Sequence, residues 1–344
     1  MNIPLINSLH KFIEKRWNAL PIKRKLGATL ICLPICVFII AAAWLWLNYG
    51  AYGVNVLWRR GGTYWITVKA NDSRLSPSMR LTFTQPQALA QAGPFTWRTI
   101  EKGFDVAELP VILADKEVDR ILLGRIDPQY FRFVVRNVPR GNKGIDEWEK
   151  ELPQAVLIVN GSFYSRKGLP DTPFLSNGKA AGPKSYDAKA GTFVASEQFA
   201  DVKDLTHQDW QSAFAGANNA MVAYPLLIGD DGKTHVSVKS NWLANRTFVG
   251  KDEQGRIIIG TTKEAYFSLW RLAEFLKAAP LQLKTALNLD GGPVACQSVR
   301  LTGYQRKFYA LWEAQDRNEK IQLLRWPFPK ATWGMPIILF VERK

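Results

Sequence analysis

Three short stretches place small and polar residues directly behind or beside apolar runs, and each offers a different chemical group. Asn160-Gly161-Ser162 follows "AVLIV" (155–159). Its amide carries both donor and acceptor groups, and glycine lets a ligand approach the backbone. Arg246 stands in "NRTFVG", just ahead of a strand-like run. A guanidinium there can grip a phosphate through two parallel hydrogen bonds, or it can be an ordinary solvated charge. Asp290 stands in "LNLDGGPVACQ", where a carboxylate at the end of a strand is followed by two glycines. That pattern fits a tight turn as readily as a ligand site. Cys296 adds a fourth possibility: a thiol nucleophile with His207 or His235 as its base, or a small buried hydrophobe.

These groups can meet only if the elements beneath them fold together. "VDRILLGRI" and "YFRFVVRN" read as strands, with Phe131, Phe133 and Val135 on one face of the second. "AVLIV" is a short, fully apolar run of the kind found in central strands. "MVAYPLLI", "TFVG", "RIIIGTT" and "IILFVE" continue the series. One helix is well signalled in "SLWRLAEFLKAA", with Ser268 as cap, Leu269, Leu272 and Leu276 at helical spacing, and Pro280 beyond its end. The buried strand "TALNL" follows and delivers Asp290. Upstream, "TYWITV" (63–68) and "RLTFT" (80–84) are strand candidates, with "SPS" and "QAGP" as loops. The stretch 304–333 interleaves basic and aromatic residues; a surface excursion with snorkelling Arg and Lys is favoured over a nucleic-acid or glycan groove. The expected class is therefore α+β, a mixed strand-rich core with few helices.

Ahead of this core, residues 26–47 carry no charge. As a helix they would extend roughly 33 Å at about 1.5 Å per residue, enough for a bilayer core. Six Lys and Arg residues precede the run against the single Glu14, which predicts a cytoplasmic N-terminus and an extracytoplasmic remainder. The apolar run continues past Ala41-Ala42-Ala43, so an uncleaved anchor is favoured over a removed signal peptide. The expected organisation is a basic segment 1–25, a transmembrane anchor 26–48, a juxtamembrane segment 49–94 and a domain 95–344.

Composition narrows the function classes further. Apolar residues at 47% and charged residues at 22% fit a folded protein. The net charge of +15 favours anionic partners. Only Cys296 lies beyond the apolar run, so no disulfide framework is possible there. His10 precedes the run, which leaves His207 and His235, too few for a three-histidine zinc site. The acidic residues show no calcium-loop signature. No cofactor or nucleic-acid partner is expected, no residue set is assigned to a metal, and a divalent cation bound with the phosphate is left open.

In this order and spacing the motifs resemble the phosphodiester glycosidase family. Its Asn-Gly-Gly-Phe-Phe-like motif is matched by Asn160 to Tyr164, and its Gly-Xaa-Pro stretch by Gly168-Leu169-Pro170. Asn177-Gly178-Lys179 matches its turn, and Pro225, Leu226, Leu227 and Gly232 match a strand leading to a second turn. Arg246-Thr247 with Val249-Gly250 matches an Arg-Thr pair, and Leu287 to Gly292 carry the hallmark Leu-Asn-Leu-Asp-Gly-Gly intact. The resemblance spans roughly 95–341.

The resemblance implies hydrolysis of a sugar-1-phosphodiester at the C1–O bond. Asp290 would stand at the sugar, Arg246 at the phosphate, and Asn160 would position the substrate by hydrogen bonding. Gly161, Ser162, Lys179, Thr247, Asn288, Gly291 and Gly292 would complete the binding surface. Two departures are visible. Ser162 replaces a glycine, and Pro293-Val294-Ala295-Cys296 stands where the family continues Gly-Ser-Ser. The altered loop motivates an alternative, a non-catalytic glycan- or polyanion-binding protein on the same fold. The sequons at Asn160 and Asn245 fall inside the motifs and are read as coincidences; a third lies at Asn71.

Overall fold

The computed structural model describes residues 21, 30–47, 65–85, 88–139, 143–187, 190–310, 313–317, 320–324 and 333–344. The chain divides into two compact units, Met1–Gly50 and Ala51–Lys344. In the first, Leu30–Leu47 forms one apolar helix, about 27 Å long at about 1.5 Å per residue. It is long and apolar enough to cross a membrane, and the same features fit a signal sequence. The basic residues expected before it lie outside the described residues, as do 26–29 and 48.

The second unit is strand-rich with few helices. Its largest sheet has eight strands. Leu283–Asn288 lies there between Leu226–Ile228 and Thr247–Asp252, followed outward by Ile257–Thr262, Lys116–Ile126 and Phe104–Leu113. A five-stranded sheet places Leu157–Asn160 between Gln297–Leu301 and Ile337–Arg343, both antiparallel to it. A second five-stranded sheet is built around Gly191–Ala195 and Asn219–Ala223.

Side-chain alternation explains the packing. Leu157, Val159, Phe131, Phe133, Val249, Ile257 and Ile259 all enter one shared core. Their neighbours Ile158 and Val134 face a different cluster, and Phe248 and Ile258 a third. Strands buried on both faces read as continuous apolar runs, which is why "AVLIV" and "RIIIG" lack polar alternation. Two helices cover outer faces. Leu269–Ala278, capped by Ser268, buries Leu272, Phe275 and Leu276 against Phe248 and Ile258. Ile145–Glu151 buries Ile145 and Trp148 against Ile158 and Phe340. Each such Leu, Ile or Phe contributes about 1.5–3 kcal/mol through burial.

Four expectations need correction. "RLTFT", read as a strand, is the end of the helix Pro77–Thr84. The Ser76 hydroxyl accepts from Met79 N at 3.1 Å and Pro77 fills the first turn, so "SPS" begins a helix rather than a loop. Thr82 and Thr84 donate back to the carbonyls of Ser78 and Arg80, at 2.8 and 2.9 Å. Second, "MVAYPLLI" is not one strand; it divides into Asn219–Ala223 and Leu226–Ile228, in different sheets. Third, the segment 65–94 is woven into the second unit. Trp65–Val68 pairs with Lys320–Leu324, and Gln91–Ala92 with Phe104–Leu113. The expected surface excursion 304–333 likewise supplies strands, with Ala314 and Leu323 buried. A four-stranded sheet results, made of Trp65–Val68, Lys320–Leu324, Glu313–Arg317 and Trp242–Ala244.

Candidate active site

The three polar motifs meet where strands of two sheets end. Leu289 N donates to Thr247 O at 2.9 Å, Asp290 N to Gly161 O at 3.1 Å, and Gly292 N to Asn245 O at 2.9 Å. One amide fastens them. Asn160 Nδ2 donates to Asp290 O at 2.7 Å, and its Oδ1 accepts from Thr247 Oγ1 at 2.7 Å and Cys296 N at 3.3 Å. Asn160 and Thr247 are buried, at 1% and 0% exposure. They hold the Asp290 backbone from below.

Above this knot opens a cleft of about 810 Å³, within the usual range for small-ligand sites. Its floor includes Asn288, Asp290, Gly291, Gly292 and Arg246. Phe163 and Tyr224 form one wall, with ring centroids 4.2 Å apart and planes inclined by 19°. Trp242 and Trp333 add further aromatic surface. Asn288 is buried and donates from Nδ2 to Tyr224 O at 3.0 Å, while its Oδ1 has no hydrogen-bond partner among the described residues.

Arg246 is the buried cation of the floor. Its Nη2 donates to Trp242 O at 2.8 Å and its Nε to Phe267 O at 3.3 Å. Burial pulls its pKa down to about 10, opposed by the nearby carboxylates of Glu313 and Asp290. It therefore remains charged at neutral pH. The two glycines after Asp290 make room for this cluster. A Cβ on Gly291 would lie 3.1 Å from Arg246 Nη1, and one on Gly292 would lie 2.7 Å from a carboxylate oxygen of Glu313. Gly292 also has φ +69°, a left-handed conformation that favours glycine. The Asp290 carboxylate accepts from Gly291 N at 2.9 Å.

Sequence reasoning missed Glu313. Its other oxygen accepts from Trp242 Nε1 at 2.9 Å, and both residues come from the four-stranded sheet. "EAQDR" reads as a solvated charge run, with no local signal that one carboxylate is turned into a cleft. The aromatic walls left more trace, since Phe163 and Tyr164 belong to the first motif.

Of the expected site residues, Asp290, Arg246, Asn288, Gly291 and Gly292 line the cleft. Asn160, Gly161, Ser162 and Thr247 lie buried outside its lining, so Asn160 positions Asp290 rather than facing a ligand. Gly161 is needed for packing, because a Cβ there would lie 2.4 Å from Ile337 Cγ2. Lys179 is exposed at the hairpin after Asn177-Gly178, away from the cleft lining.

Cys296 does not form a catalytic pair. It is packed with Ile145 and Trp148, and burial pushes its thiol up to about 11. His207 and His235 instead line a separate depression with Asp204, Asp230 and Asp231. Among the described residues, no three His, Cys, Asp or Glu side chains are grouped to hold a metal ion. Of the three sequon asparagines, Asn160 and Asn245 are buried and Asn71 is exposed.

Residues 153–307 match the family model for phosphodiester glycosidase, a segment containing Asn160, Arg246 and Asp290 and ending before Glu313. No curated protein gives a significant match. Among solved structures, the chain is similar to the zebrafish N-acetylglucosamine-1-phosphodiester alpha-N-acetylglucosaminidase catalytic domain auto-inhibited by pro-peptide. That alignment has 15% identity and a TM-score of 0.47, covering 82% of this chain and 89% of the other. A hypothetical protein from Synechocystis aligns at 13% identity and TM-score 0.45, over 68% and 64% of the two chains. A putative exported protein from Burkholderia pseudomallei K96243 aligns at 10% and 0.39, over 65% and 74%.

Proposed function

We propose that this protein is a hydrolase that cleaves the C1–O bond of a sugar-1-phosphodiester in an envelope glycan or glycolipid. The family match at 153–307 supports a hydrolase of this kind. The observation that carries the assignment is the pairing of a carboxylate and a buried cation on one cleft floor, with Arg246 Nη1 packed against the glycine that follows Asp290. Breaking the bond leaves positive charge on the sugar carbon and negative charge on the departing phosphate. Asp290 stabilises or attacks the first, and Arg246 meets the second. The leaving group is a phosphate monoester, whose second ionisation lies near about 6. It departs far more readily than an alkoxide.

In this reading Asn160 acts through Asp290, fixing its backbone. Asn288 and the aromatic walls hold the sugar. The apolar helix Leu30–Leu47 and the basic residues before it support a single-pass anchor with the catalytic domain outside the cytoplasm. C-terminal reporter fusions active only in the cytoplasm would contradict that topology.

The altered loop Pro293-Val294-Ala295-Cys296 favours a second reading, a glycan- or polyanion-binding protein on the same fold. Turnover of a panel of sugar-1-phosphodiesters and nitrophenyl sugars by the purified protein separates the two. Release of a phosphate monoester supports the hydrolase. Saturable binding of the same compounds without any product supports the binder.

A further inference from the structure

Beside Asp290 the cleft floor holds another carboxylate, Glu313, that phosphodiester cleavage does not require. We propose that Glu313 is a catalytic acid, and that the same cleft hydrolyses glycosides whose leaving group is an alcohol. The inference rests on the placement of Asp290 at the sugar carbon argued above. Its own support is geometric. One Glu313 oxygen accepts from the Trp242 indole at 2.9 Å. The other is packed against Gly292, two residues from Asp290, where even a Cβ would lie only 2.7 Å away. Asp290 and Glu313 both line the cleft, and both act electrostatically on the buried Arg246 guanidinium.

That arrangement changes the charge a substrate meets. Among the described residues, the charged side chains lining the cleft are Arg166, Arg246, Asp171, Asp290 and Glu313. Asp290 and Glu313 thus both stand near the buried Arg246 guanidinium on the cleft floor. A hydroxylated ligand with an apolar ring face also suits this cleft. The stacked Phe163 and Tyr224 offer apolar surface to a sugar ring.

An alkoxide is a far poorer leaving group than a phosphate monoester, and two flanking carboxylates are the usual solution. Glu313, in its acid form, gives its proton to the leaving oxygen as the C1–O bond breaks and that oxygen takes the bonding pair. Asp290 supports the positive sugar carbon. Water then adds to C1 and returns a proton to the Glu313 carboxylate. One water is consumed, and the products are a free sugar and an alcohol. Glu313 lies beyond the matched segment 153–307. It is held on the four-stranded sheet that 65–68, 242–244 and 320–324 complete.

The test compares wild type and Glu313→Gln, as full-length protein in detergent, on three substrates of one sugar: an alkyl glycoside, a nitrophenyl glycoside and a 1-phosphodiester. A proton donor predicts a fall in kcat/KM of about 10²- to 10⁴-fold on the alkyl glycoside, against less than about tenfold on the two substrates that leave unaided. Glu313→Asp, which keeps the acid on a shorter stem, should recover part of the alkyl activity. Equal losses on all three substrates, or no loss on any, would overturn the assignment. Wild type that turns over the phosphodiester but not the alkyl glycoside overturns this inference and leaves the phosphodiester reading standing. Wild type that turns over none of them overturns both.

Discussion

Asn160 shows how much a single buried amide can coordinate. Its side chain joins the end of one strand to the Asp290 carbonyl, the Thr247 hydroxyl and the Cys296 amide. Replacing it with alanine leaves these buried groups without that partner, at a cost of about 1–3 kcal/mol. Asn160→Ala should therefore lower the denaturation midpoint and turnover together. An unchanged midpoint would contradict the fastening role. Asn160→Asp should be worse, since an oxygen replaces the donor that faces the Asp290 carbonyl. Asp290 was legible at the end of an apolar run and Arg246 just ahead of one, while Asn288 was reached through the family motif. The direction each side chain takes was not legible, and so Asn160 was expected at the ligand and lies beneath the floor. Glu313 left no signal, because its contacts to Trp242 and Gly292 join residues far apart in sequence.

At the scale of elements, strands buried on both faces were the most readable part of the chain. Apolar runs such as "AVLIV" and "RIIIG" have no other economical structure at that length. "RLTFT" misled because Leu81 and Phe83 alternate with polar residues, while the Ser76 cap and Pro77 set a helical start. The strand after the Asp-Gly-Gly turn has a checkable consequence. Cys296 heads toward the core beside Trp148, and burial holds its thiol at about 11. At pH 8 the native protein should resist iodoacetamide at Cys296 and react there only once unfolded. Peptide-resolved labelling reads this site separately from Cys32 and Cys36. Fast native labelling of Cys296 that abolishes turnover would restore the cysteine-nucleophile reading.

For the whole molecule, the strand-rich α+β class and the motif order were legible, while the assembly of the cleft was not. Its far side is a sheet drawn from 65–68, 242–244, 313–317 and 320–324. No local pattern can report pairing across more than two hundred residues, so 65–94 read as a lead-in rather than part of the unit. What the fold achieves is to bring Asp290 and Arg246 together over a rigid base. The most direct test is Asp290→Asn, with turnover of a sugar-1-phosphodiester, its affinity and the melting temperature measured on one preparation. Asparagine keeps the size of the side chain and removes only the charge that, in the proposed reaction, would stabilise the developing cation. Turnover should fall by about 10²- to 10³-fold or more, with affinity and melting temperature nearly unchanged, because only differential stabilisation affects the chemical step. A folded Asp290→Asn protein with wild-type turnover would contradict the catalytic role of Asp290.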